Sequence, residues 1–108
     1  METEKILQGF YYHYKHNPNG SIENYAYEVL NIGHHTEVED FEEASMVVYR
    51  PLYESAKVYQ AGKHWDVRPL KMFMENVTKD GKTFPRFTKI TDQKVVDELI
   101  KIRKEIYK

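Results

Sequence analysis

Along residues 10–15 the chain alternates Phe10, Tyr12 and Tyr14 with Tyr11, His13 and Lys15. Successive side chains of an extended backbone point to opposite faces, so this period of two predicts a first strand. Residues 25–32 repeat the pattern, with Tyr25, Tyr27, Val29 and Asn31 on one face and Ala26, Glu28, Leu30 and Ile32 on the other. Glu28 falls in an apolar row, where it needs either solvent at a strand end or a cation inside. A third strand is expected over 45–49, rich in Val and Tyr, a fourth over 52–59, and a fifth over 64–68. Residues 85–90 are also expected to be extended. The breaks are turn-forming: Asn-Pro-Asn-Gly-Ser at 17–21, Gly33, Gln-Ala-Gly-Lys at 60–63 and Lys-Asp-Gly-Lys at 79–82, where Asp-Gly is a hairpin signal.

Two segments carry helical spacing instead. Pro69 suits a first helical position, and Leu70, Phe73 and Met74 then share a face, which predicts one helical turn over 69–75. After Asp92, a candidate N-cap, Val95, Leu99, Ile102 and Ile106 recur at spacings of four, three and four, so an amphipathic helix should run to about the C-terminus. Asp97 and Lys101 stand four apart in the favourable order for an ion pair. Several short strands broken by Gly and Pro, followed by one helix, predict a mainly β fold: a small barrel, closed or half closed, covered by the C-terminal helix. The expected organisation is an N-terminal extension over 1–9, a barrel domain over 10–90 and the helix over 91–108.

Composition narrows the class. The 108-residue chain suffices for one core. It has no Cys, which removes disulfides, thiol catalysis and thiolate metal sites, and no apolar run of the ~20 residues a membrane span needs. With no signal pattern in residues 1–9, a cytoplasmic location is expected. A net charge of −1 and an acidic run at 37–43 disfavour nucleic acid without excluding it. Nine Tyr, five Phe and one Trp supply rings that suit a half-buried sheet or a stacking surface.

The candidate chemistry centres on a phrase that occurs twice, Arg50-Pro51-Leu52 and Arg68-Pro69-Leu70. The residue before a Pro is pushed toward extended geometry, so both arginines should leave strand ends, and the expected site is a guanidinium pair gripping a carboxylate or phosphate. The alternative is internal, with one or both arginines paired to Glu28 or Glu37. His35 and Glu37 follow the second strand and are candidates for proton transfer; with His34 and one of His13, His16 or His64 they are a weak metal-ligand set, and no metal is assigned. Tyr12, Tyr14, Tyr27, Tyr49, Tyr53 and Trp65 build either core or a stacking platform. No phosphate loop, nucleophile elbow or metalloprotease motif is present.

In order along the chain, His13-Tyr14-Lys15, Tyr27-Glu28-Val29-Leu30, His35-Thr36-Glu37, Val47-Val48-Tyr49-Arg50, Leu52-Tyr53, Trp65, Val67-Arg68-Pro69-Leu70, Met72-Phe73, Asp80-Gly81-Lys82 and Pro85-Arg86-Phe87 resemble the bacterial family catalogued as domain of unknown function 1653. The resemblance covers residues 10–90 and implies a small SH3-like β-barrel with no established reaction. The acidic loop at 38–44 and the segment 54–63 look longer than the family pattern, which would alter access if either borders the site.

The expectation from sequence is therefore a binding module for an anionic small molecule, or for the anionic group of a partner such as a protein. Arg50, Arg68, His35, Glu37, Tyr49 and Trp65 would line its site, with no catalytic residue and no cofactor assigned. A small enzyme acting on a nucleotide-like or acylated substrate is the alternative, and a peptide-docking domain the third reading.

Overall fold

The computed structural model describes residues 8–53 and 65–107. Five strands form one antiparallel sheet: β1 (Gly9–His13), β2 (Ala26–His34), β3 (Ser45–Pro51), β4 (Asp66–Pro69) and β7 (Phe87–Lys89). Their spatial order is β4-β3-β2-β1-β7, and β5 (Asn76–Lys79) pairs with β6 (Lys82–Pro85) in a separate hairpin. The chain thus runs as a meander through β1 to β4 and returns to lay β7 against β1. Among the described residues the edge strands β4 and β7 do not pair, so the expected barrel is open rather than closed. Among the described residues three helices accompany the sheets: α1 (Phe41–Ala44), α2 (Leu70–Met74) and α3 (Gln93–Ile106). The mainly β architecture, the helical turn after Pro69 and the C-terminal helix agree with the sequence expectation. Of the strand expected over 52–59, Leu52 and Tyr53 form a bend after β3 instead, and the rest lies outside the described residues, as do the turn at 60–63 and the start of the chain.

Strand β3 shows how the pattern becomes a core. Ser45, Val47, Tyr49 and Pro51 are buried and alternate with half-buried Met46, Val48 and Arg50. One face of the sheet collects Tyr11, Val29, Val47, Tyr49 and Phe87 with Phe73 of α2. The Phe73 and Phe87 rings stack 4.2 Å apart. The other face collects Phe10, Ala26 and Leu52 beneath Leu99 of α3. Apolar area lost to water on both sides is the main stabilising term, and Leu99, fully buried, is the centre of the helix contact. Asp92 caps α3 by accepting the amide of Lys94 at 3.0 Å.

Two expectations are corrected by local geometry. A bulge between Val29 and Asn31 inserts one residue into β2, so Ile32 joins Tyr27 and Val29 on their face instead of alternating away from them. Asp97 accepts a bond from Gln93 at 2.9 Å and Lys101 turns to Glu98 at 3.3 Å, so the Asp97–Lys101 pair does not form. The Asp-Gly turn does form: Asp80 at φ 54° and Gly81 at φ 76° both adopt the left-handed conformation that a two-residue hairpin loop between right-twisted strands demands.

Candidate functional site

The register of the sheet separates the two arginines. Arg50 on β3 lies opposite Glu28 on β2, whereas Arg68 on β4 lies opposite Val47. Directly opposed residues share a face, and Val47 and Arg50 are three positions apart on one strand, so their side chains leave opposite faces. Arg50 and Arg68 therefore do not line one pocket, which corrects the expectation drawn from the repeated Arg-Pro phrase. The phrase marks two strand ends but carries no information on how the strands are paired.

Arg50 belongs to the helix side and serves the fold. Its Nε donates to Glu28 Oε1 at 3.0 Å, and Arg103 of α3 donates to the other carboxylate oxygen at 2.6 Å. Glu28 is only 8% exposed, and two guanidinium groups answer its burial. The Arg50 guanidinium carbon also lies 4.0 Å from the centre of the Tyr107 ring, whose hydroxyl donates to the Pro51 carbonyl. Glu28 thus met a cation inside, as its place in an apolar row required; the second cation came from the helix.

Arg68 stands on the other face, half-buried, with its guanidinium carbon 5.4 Å from the centre of the Phe87 ring. Among the described residues it has no hydrogen bond and no carboxylate within ion-pair distance, in contrast to Arg50, Arg86 and Arg103. His13 of β1 lies against the same Phe87 ring at 5.2 Å, edge to face, and stacks with Tyr25 at 5.7 Å. Its Nδ1 accepts the amide of Lys15, which leaves Nε2 as the protonated, donating nitrogen of the neutral ring. Burial, with the charges of Arg68, Lys15 and Arg86 adding to it, pushes its pKa down to about 4. At neutral pH, His13 is an uncharged donor in an electropositive setting.

Tyrosines complete this face. The Tyr27 and Tyr53 hydroxyls are 2.6 Å apart, and burial followed by that bond pushes the Tyr27 phenol well above its ordinary value, so it stays neutral. Tyr49, buried, packs against Tyr27 at 5.6 Å and Phe87 at 6.2 Å. Tyr25, half-exposed, holds a backbone φ of 53°, a costly conformation for an aromatic residue, and places its ring between His13 and Tyr53. Asp66, two residues before Arg68 on β4, lies opposite Tyr49. Its pKa is raised by burial, against the opposing pull of Arg68. Beside Tyr25 and Tyr53 an open groove of about 610 Å³ extends to Ile102 and Ile106 of α3.

Of the six residues expected at the site, Arg68 and Tyr49 share this face. Trp65 immediately precedes Asp66 and is 64% exposed. Arg50 is on the other face. His35 and Glu37 lie beyond the end of β2: the His35 amide donates to the Ala44 carbonyl, the Glu37 amide donates to His35 Nδ1 at 3.2 Å, and both side chains are exposed. Among the described residues neither touches either arginine. No group of three His, Asp or Glu side chains that could hold a metal ion occurs among the described residues.

By sequence, His13 is a strand residue and a candidate metal ligand, and Asp66 carries no assigned role. The available signals were the alternation that puts His13 on the Tyr11 face of β1 and the two-residue spacing that puts Asp66 with Arg68.

A family model described as a protein of unknown function, DUF1653, matches residues 9–89. No curated protein and no solved structure matches the chain. No helix among the described residues is long and apolar enough to cross a membrane.

Proposed function

The chain belongs to the DUF1653 family, and we propose that it is a binding module that holds the carboxylate or phosphate of a small molecule, or of a partner's side chain, at Arg68. The observation that carries this reading is the unmatched guanidinium: a half-buried cation on an aromatic floor, with no carboxylate in ion-pair reach among the described residues. An arginine so placed offers a planar fork that suits bidentate oxygens, and its partial burial strengthens the attraction relative to open water. His13 Nε2–H and the Tyr49 hydroxyl supply further donors, while Tyr25 supplies a ring against which the body of a ligand rests. Asp66 gives the site an acceptor beside its cation, which favours ligands that carry a donor near their acidic group.

Binding rather than catalysis is the better reading of these groups. The depressed pKa makes His13 a weak base, and its one unprotonated nitrogen already accepts the Lys15 amide. His35 and Glu37, the pair that proton transfer would use, stand on an exposed loop without contact to Arg68.

The test is a thermal-shift screen of organic acids, phosphorylated amino acids and nucleotides against the unaltered chain and Arg68→Met. A ligand that binds only the folded state raises the melting temperature by mass action. At least one class should stabilise the unaltered chain and fail to stabilise Arg68→Met. Equal stabilisation of both overturns the assignment.

A further inference from the structure

We propose that a second site, separate from Arg68, lies between the end of β1 and the β5–β6 hairpin and takes a nucleoside phosphate. A groove of about 320 Å³ is lined there by Tyr14, Lys15, Lys79, Asp80, Lys82 and Phe84. That volume falls at the lower end of the range of small-ligand sites. The Tyr14 and Phe84 rings pack 5.6 Å apart at a 40° tilt, both half-buried, and form an aromatic wall. The three lysines are exposed, and among the described residues none has a carboxylate in ion-pair reach. Three cations against one carboxylate leave the groove locally positive although the whole chain carries −1.

The fold holds this set together. The Tyr14 amide donates to the Arg86 carbonyl at 2.9 Å, which ties the end of β1 to the segment after β6. The left-handed pair Asp80 and Gly81 turns the hairpin so that Lys79 and Lys82 face each other across the register. Two like charges directly opposed are mutually unfavourable, and a bound phosphate relieves that repulsion.

A flat π-face beside a cluster of unmatched lysines fits a ligand that is itself aromatic at one end and anionic at the other. The Asp80 carboxylate has no place in a site for bare phosphate, but it is an acceptor for a sugar hydroxyl or an exocyclic amino group. Base on the Tyr14–Phe84 wall, phosphate among Lys15, Lys79 and Lys82, and sugar at Asp80 together use every group in the lining. Such a unit could arrive as a free nucleotide or as one residue of a single strand.

Isothermal titration calorimetry of the full chain with AMP, with inorganic phosphate and with an eight-nucleotide oligouridylate tests the proposal and separates the sources. AMP should bind more tightly than phosphate if the free nucleotide is the ligand. Binding by the oligomer alone assigns a strand unit, with a log-log salt slope of roughly −2 for three phosphate contacts. The triple variant Lys15→Gln, Lys79→Gln, Lys82→Gln changes only exposed side chains and should weaken binding about tenfold or more, roughly 1.4 kcal/mol or beyond. Phe84→Leu, which keeps an apolar packing group, should also weaken it, whereas Arg68→Met should leave it unchanged. Phosphate binding as tight as AMP, no binding by either nucleotide ligand, or full binding by the triple variant overturns the proposal. Binding that the triple variant keeps and Arg68→Met loses belongs to the Arg68 site and overturns this one.

Discussion

Glu28 and Arg50 sit opposite one another on β2 and β3, with Glu28 Oε1 2.9 Å from Arg50 Nη2, and Arg103 of α3 closes the pair from the helix side. This buried carboxylate joins three elements distant in sequence. Glu28→Gln keeps the size but leaves two partly buried guanidinium groups without a counter-charge. Breaking one partner of a buried ion pair costs several kcal/mol, so the variant should lose roughly 3 kcal/mol in urea unfolding. Arg50→Met should lose less, because Arg103 still pairs with Glu28.

Leu99 anchors α3 on the sheet through Phe10, Ala26 and Leu52. Leu99→Ala leaves a cavity that the rigid sheet cannot fill, so stability should fall by about 2–4 kcal/mol. Urea titration followed by circular dichroism measures the loss.

The pH dependence of stability should carry the mark of His13. Its folded pKa of about 4 lies below the ordinary 6.5. Between these values the unfolded chain takes up a proton that the folded chain does not, so folding stability falls as pH drops through that window. His13→Asn should flatten this part of the stability profile. By NMR the His13 ring should titrate near pH 4, and Arg68→Met should move that midpoint upward by removing the neighbouring positive charge.

Tyr25 trades stability for position. Its φ of 53° is relieved in Tyr25→Gly, which gains back up to roughly 1–2 kcal/mol of strain while losing ring contacts with His13 and Tyr53 and some chain entropy. The melting temperature should change little, whereas affinity at the Arg68 face should drop. A large fall in melting temperature would instead make Tyr25 a structural residue.

How much of this was legible in the chain depended on the range of the interaction. Alternation at 10–15, the Asp-Gly turn, the helical start at Pro69 and the Val95–Leu99–Ile102–Ile106 stripe are local, and each produced the expected kind of element, although β1 stops at His13. The burial of Glu28 in an apolar row foretold a cation, but not that Arg103, 75 positions away, would share it. The β2 bulge moved Ile32 across the sheet, because one inserted residue reverses every later assignment on a strand of period two. The same sensitivity misled the reading of Arg50 and Arg68. Each phrase ends a strand at its Pro, but Leu52 enters a bend and Leu70 a helix, and the β3–β4 register, set by packing across the sheet, put the two arginines on opposite faces. His13 was legible as a residue on the Tyr11 face; its role depended on Phe87 and Arg68, which only the tertiary fold brings beside it.

The central claim is that Arg68, unmatched by any described carboxylate, receives an acidic group. The most direct measurement follows the Arg68 guanidinium and the His13 ring by NMR while inorganic phosphate, citrate, glutamate and O-phosphoserine are added in turn. The account predicts that at least one of them shifts both signals saturably, raises the His13 midpoint by neutralising Arg68, and does neither in Arg68→Met. Shifts that spare Arg68 and His13, or that persist unchanged in Arg68→Met, would contradict it.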